Sequence, residues 1–193
     1  MAASADLTVL AGPVDEVAPL LLGARLEHAG VVVRLTEVEA YAGPLDPGSH
    51  AYRGRTPRNA AMFGPAGRLY CYFTYGLHVC ANVVTGPDGE AGAVLLRAGE
   101  VESGHDLARE RRPRASDRDL ARGPARLCRA LALDLSQDGT DLTAGPVSLQ
   151  LDDPPAAYET GPRVGLRGAP DRPWRYWLAG ERSVSAYRPA KPR

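Results

Sequence analysis

The stretch Leu69-Tyr70-Cys71-Tyr72-Phe73-Thr74-Tyr75, followed after Gly76-Leu77-His78 by Val79-Cys80-Ala81-Asn82-Val83-Val84-Thr85, decides the fold class. Two runs of aromatic and β-branched residues parted by a glycine read as two strands. Pro87-Asp88-Gly89 is a turn signal, which makes residues 91–97 the return strand of a hairpin. Upstream, Gly30 turns the chain into another β-branched run at 31–39, and the apolar residues 14–22 before Gly23 read as a helix. Helical patterning returns at 101–112 and 117–122. It returns again from Gly123-Pro124 to Leu133, where proline stands in the first turn. Short strand-like runs follow at 147–151, 163–166, 174–178 and 184–185. Strands and helices do not alternate, so the order predicts an α+β protein. The expected architecture is a single mixed domain over residues 1–193, a curved, largely antiparallel sheet flanked by helices, with flexible tails at 1–6 and 188–193.

Composition narrows the function. A chain of 193 residues with 44% hydrophobic content can bury a full core. No apolar run is long enough to span a membrane, and the N-terminus lacks the basic and apolar regions of a signal peptide. Cytoplasmic residence is the expectation. Cys71, Cys80 and Cys128 are odd in number and lack metal-site spacing, so they read as buried thiols; neither metal nor cofactor is implied. Net charge is zero, which argues against a protein that coats DNA generically. The charge is nevertheless segregated. Residues 48–75 carry Arg53, Arg55, Arg58 and Arg68 and no acid, whereas residues 1–47 are rich in acids. Lys191 is the only lysine, so the positive charge is almost all arginine, the side chain suited to bidentate phosphate binding.

Three pieces carry chemistry. Glu37 and Glu39 lie two apart on a predicted strand, on one face and roughly 7 Å apart. They read either as a carboxylate pair of the sugar-hydrolase kind or as one catalytic glutamate beside a structural one; a solvated strand face is the plain alternative. Tyr41 continues that face into a long irregular loop at 42–60, which holds His50 and the arginines. Loops of that length inside a domain tend to be functional. Tyr70 and Tyr72 share a strand face, and Tyr70 reads as core. Tyr75, beside Gly76, reads as an exposed wedge of the kind that enters a base stack.

These residues resemble the alkyladenine (3-methyladenine) DNA glycosylase family. The matching pieces are Thr36-Glu37-Val38-Glu39-Ala40-Tyr41, His50, Thr56-Pro57-Arg58-Asn59 with Met62-Phe63, the run from Tyr70 to Asn82, and Val94-Leu95-Leu96-Arg97-Ala98. Gly123-Pro124-Ala125-Arg126-Leu127-Cys128, Arg163-Val164-Gly165, Arg175-Tyr176-Trp177 and Ser183-Val184-Ser185 continue the likeness from about Leu20 to near the end of the chain. The resemblance implies an enzyme that extrudes a damaged purine from duplex DNA. In that reading Glu39 is the general base for water attacking C1′, and Arg97 and the carbonyl of Val184 hold that water. Tyr41 and Tyr72 sandwich the base, His50 completes the pocket, and Asn82 obstructs the amino group of guanine. Tyr75 fills the gap in the helix, while Thr56, Met62, Gly76 and Leu77 line the DNA surface, and Arg53, Arg55 and Arg58 meet phosphates.

The implied lesions are 3-methyladenine, 7-methylguanine, hypoxanthine and ethenoadenine. The implied partner is double-stranded DNA bearing such bases, bound by a monomer. With no lysine near the motif to form a Schiff base, strand cleavage is not expected. Two other readings remain open: a catalytically silent binder of damaged DNA, and a sugar glycosidase using Glu37 and Glu39 together.

Overall fold

The computed structural model describes residues 7–74 and 76–191. Among the described residues eight strands form one sheet: β1 (Arg25–His28), β2 (Val31–Tyr41), β3 (Leu69–Thr74), β4 (His78–Val84), β5 (Ala93–Ser103), β6 (Ser148–Gln150), β7 (Glu159–Gly161) and β8 (Arg175–Trp177). The order is β3-β4-β5-β2-β1-β6, with β8 on β2 and β7 beyond it; each of these pairings is antiparallel. Three short α-helices, α1 (Val14–Val17), α2 (His105–Arg111) and α3 (Pro124–Ala130), accompany the sheet. The protein is a mixed α+β single domain.

Strand β2 organises the molecule. One edge pairs with β5 along its length; the other pairs first with β1 and then, at Glu37–Glu39, with β8. Its register against β5 shifts at Val32/Val33 and on both sides of Glu37. Such irregularities re-aim side chains. Val31, Val33 and Leu35 enter the apolar core, then Val38 and Ala40 do so. The inward phase moves from odd to even positions, and Glu37, Glu39 and Tyr41 are turned to the opposite face. An unbroken alternation from Val31 would have carried both carboxylates into the core.

Several expected elements differ. The helix expected over 14–22 is α1 followed by a 3-10 turn at Ala18–Leu21, because Pro19 cannot continue the α-helical hydrogen bonding. Helix 101–112 starts only at His105: Val101 is buried and paired with Val33, so β5 runs on to Ser103, and Gly104 breaks it at φ +76°. The segments 163–166 and 184–185 are not strands. The backbone N–H groups of Val164 and Ser185 bond to Glu39 and Glu37 instead. Strands β1 and β7 were not anticipated. The loop at 42–60 holds 3-10 turns at Gly43–Leu45 and Pro57–Phe63.

Tyr75, with residues 1–6 and 192–193, lies outside the described residues. Residues 188–191, expected in a flexible tail, lie against the 165–167 segment: Gly165 N–H donates to Arg188 O at 2.8 Å and Arg167 Nη2 to Lys191 O at 3.0 Å. The three cysteines are free and buried. Among the described residues no helix is long and apolar enough to cross a membrane.

Candidate active site

Glu37 and Glu39 are both fully buried, yet they have different surroundings. Glu37 Oε1 accepts from Arg97 Nε (2.9 Å), Arg175 Nε (2.7 Å) and Ser185 Oγ (2.9 Å), and its Oε2 from Ser185 N–H (2.7 Å). Burial pushes this carboxyl up, but the two guanidinium groups and the Ser185 hydrogen bonds outweigh it and hold the group below its ordinary value. A carboxylate so saturated is a structural anchor. The geometry gives the two glutamates different environments: Glu37 is anchored, and Glu39 bonds the Tyr41 hydroxyl.

Glu39 accepts two hydrogen bonds where Glu37 accepts four. Val164 N–H donates to Oε1 at 2.6 Å, the Tyr41 hydroxyl donates to Oε2 at 2.8 Å, and Arg97 Nη1 stands 3.4 Å from Oε2. Burial, then the charge of Glu39, pushes the Tyr41 phenol well above its usual value, so it remains a donor. Arg97 sits on β5 opposite the register shift of β2, which lets one side chain reach both carboxylates.

Tyr41 and Tyr72 line two adjoining cavities. The smaller, about 140 Å³, is walled also by Gly48, His50, Met62, Tyr70, Asn82 and Leu166. The larger, about 430 Å³, takes in Arg97, Arg122, Arg126, Val164, Ser185 and Arg188. The smaller is aromatic. His50 packs edge-on to Tyr72 with ring centres 4.4 Å apart, its Nδ1 lies 3.1 Å from the Tyr70 hydroxyl, and Tyr70 and Tyr72 stack at 5.5 Å. Burial and the neighbouring charge of Arg58 lower the His50 pKa, so the imidazole is neutral at pH 7. Asn82 is fixed by donating Nδ2 to Tyr70 O at 3.0 Å. Asn59 holds the loop, donating to the carbonyls of His50 and Gly54, each at 3.0 Å. Gly48 packs closely: a Cβ there would stand 2.4 Å from Leu166 Cδ2, so that side chain would have to move.

The structure thus brings together Glu39, Tyr41, Tyr72, His50, Asn82 and Arg97. It places two others differently from expectation. Met62 is 2% exposed and forms part of the small cavity's wall, because its side chain joins an apolar cluster with Tyr70 and Val84 rather than the surface. The carbonyl of Val184 accepts Arg122 Nε at 2.8 Å, and it is the next residue, Ser185, that reaches a carboxylate, that of Glu37. Arg53, Arg55, Thr56, Arg58, Gly76 and Leu77 are exposed. Arg58 Nη2 donates to Phe73 O at 2.9 Å, tying the arginine loop to β3. Exposed Tyr52 and Phe73 were not singled out from sequence, nor were Asp46, Arg122, Arg163, Val164, Arg175 and Ser185. Several of these lie inside the matching motifs, but nothing in their local pattern shows which carboxylate they meet.

Asp46 is another buried carboxyl held below its ordinary value. Burial raises it, and the hydrogen bonds from Arg163 and from the N–H groups of Gly48 and Ala42 overcome that effect. Folded values below the unfolded ones mean that both Glu37 and Asp46 contribute stability above the ordinary carboxylate range, near pH 4. That stability is lost as pH falls through the depressed values. The urea midpoint is expected to drop below about pH 4; an unchanged midpoint down to about pH 3 would contradict this reading.

A family model described as Methylpurine-DNA glycosylase (MPG) matches residues 8–182. Curated relatives provisionally named 3-methyladenine DNA glycosylases are similar over most of the chain. The protein of Leifsonia xyli subsp. xyli is 58% identical over 186 residues, covering 90% of this chain and 87% of the relative. That of Nocardia farcinica is 58% identical over 178 residues (87% and 84%), and that of Streptomyces avermitilis 51% over 209 residues (100% and 98%). A match of this extent, on a chain whose cavities and carboxylates are arranged as above, establishes that the protein belongs to the methylpurine-DNA glycosylase family.

Proposed function

We propose that this chain is a monofunctional DNA-3-methyladenine glycosylase of base-excision repair. In this reading it extrudes an alkylated or deaminated purine of the 3-methyladenine, 7-methylguanine, hypoxanthine and ethenoadenine class from duplex DNA. It then hydrolyses the N-glycosidic bond and leaves an abasic site. The observation that carries the reading is the pair of cavities sharing Tyr41 and Tyr72, one aromatic and one lined by arginines, with the Glu39 carboxylate behind their common wall.

The chemistry follows from that division. A flat base fits the aromatic side, where Tyr41 and Tyr72 offer electron-rich faces to a cationic alkylated purine. Sugar and phosphates fit the wider side, where Arg122, Arg126 and Arg188 supply bidentate donors. The glycosidic bond then falls between the two. Water oxygen bonds to C1′, its proton passes to Glu39, and the electron pair of the breaking C1′–N bond leaves with the base. A purine alkylated at N3 or N7 departs without its positive charge, so little acid assistance is needed. The Glu39 carboxylate complements the oxocarbenium-like positive charge that develops on the sugar, and Arg97, whose Nη1 lies 3.4 Å from Oε2, holds that carboxylate in place. The exposed arginines of the 53–58 loop are suited to flanking phosphates.

The test is base release from methylated duplex DNA and from a duplex with one hypoxanthine. Free base is expected, with the strand intact until alkali is added, since the only lysine stands at position 191. Strand cleavage by pure protein would overturn the monofunctional assignment. Lesion binding without any base release would favour a silent damage-binding module instead.

A further inference from the structure

Behind the base pocket lies a stack to which the reaction above gives no part. Arg172 lies over Trp174 at 4.5 Å from ring centre, Arg163 lies 5.4 Å from Trp174, and Arg163 lies 4.6 Å from the Tyr41 ring. Arg163 is the largest fully buried side chain. Its guanidinium is tied to the Asp46 carboxylate by both terminal nitrogens, one at 2.7 Å, and donates to Ala40 O at 2.8 Å. Asp46 in turn accepts from Gly48 N–H at 3.0 Å, on the loop that supplies Gly48 and His50 to the small cavity. The next residue, Val164, donates its N–H to Glu39. Two consecutive residues thus touch the ring of Tyr41 and the carboxylate that the Tyr41 hydroxyl bonds. They also bind the first turn of the substrate loop.

We infer that Arg163 is the positioning residue of the base pocket, fixing the ring of Tyr41 in the plane against which the extruded base stacks. The inference rests on the proposed function and extends it. A planar guanidinium whose two terminal nitrogens are both bound, by Asp46 and Ala40, resists reorientation, so the Tyr41 ring packed on it rests on a fixed surface. The extruded purine would be the next layer, closed on its far side by Tyr72. Arg163 itself lines neither cavity, so it acts through the Tyr41 ring that it packs against.

The informative variant is Arg163→Lys, which keeps the charge facing Asp46 and loses the planar stack. It is read in a cycle with Tyr41→Leu by two measurements. One is the single-turnover rate of base release. The other is the fluorescence of an ethenoadenine duplex on binding, which stacking between tyrosines quenches. Thermal melting checks the fold of every variant. Arg163→Lys is expected to slow release by roughly ten- to a hundredfold, the effect of a small misplacement of the reacting groups, and to relieve part of the quench. In the Tyr41→Leu background it should change neither.

Reductions that multiply in the double variant, or native values for Arg163→Lys, would overturn the inference. Should Arg163→Lys fail to fold, Arg163→Gln combined with Asp46→Asn replaces the ion pair with an amide pair and is read in the same cycle. Relieved quench in Arg163→Lys, coupled to Tyr41, with no base release by the native protein would sustain the inference while sinking the catalytic reading.

Discussion

Glu39→Gln is expected to slow base release by roughly 10²–10⁴-fold, the usual contribution of a positioned general base, with lesion binding and fold retained. The amide matches the carboxylate in size, and the Tyr41 hydroxyl can reverse its hydrogen bond to accept from the new NH₂ group. Arg97 remains anchored on Glu37 through Nε. What is lost is the atom that receives the proton of the attacking water. Single-turnover release from a hypoxanthine duplex measures the rate, and gel-shift titration of the same duplex measures binding. A variant that releases base at the native rate would remove Glu39 from the mechanism.

Glu37→Gln is expected to produce the opposite pattern. Arg97 and Arg175 are 8% and 6% exposed at their side chains, and both direct Nε at one Glu37 oxygen. Neutralising that carboxyl leaves two buried guanidinium groups sharing less negative charge. Breaking a buried ion pair from one side costs about 3–5 kcal/mol, which for a chain of this size lowers the melting temperature by roughly 6–20 °C. Thermal unfolding of purified protein reads this directly. Base release below the new melting point should fall far less than in Glu39→Gln. If instead Glu37→Gln melts like the native protein and is as inactive as Glu39→Gln, the two glutamates work as a catalytic pair and the protein is a different kind of glycosidase.

The parts legible in the sequence were those set by local pattern. Alternating and β-branched runs located β2, β3, β4 and most of β5, and the Pro87-Asp88-Gly89 turn fixed the hairpin between the last two. The clustering of Glu39, Tyr41, His50, Tyr72 and Asn82 was legible from their motifs. The remainder depends on contacts between distant residues. Arg163 stands 117 positions from Asp46, and Arg175 138 from Glu37, so no window of sequence connects them. Runs at 163–166 and 184–185 look strand-like, yet two of their backbone N–H groups are taken by carboxylates, and a carboxylate partner leaves no trace in periodicity. The helix expected from 101 failed because tertiary pairing with β2 outweighed local helical preference.

The register shift beside Glu37 gives β2 something like a reading frame. Its first half is written for the core at odd positions, and its second half is written for the core at even positions. Straightening the strand at that shift, with no residue lost, would leave every side chain unchanged in kind and exchange the two faces beyond that point. Both glutamates and Tyr41 would then be directed into apolar packing, and Val38 and Ala40 would take their places on the catalytic face. The chemistry of this glycosylase therefore depends on the parity of a strand as well as on the residues written along it.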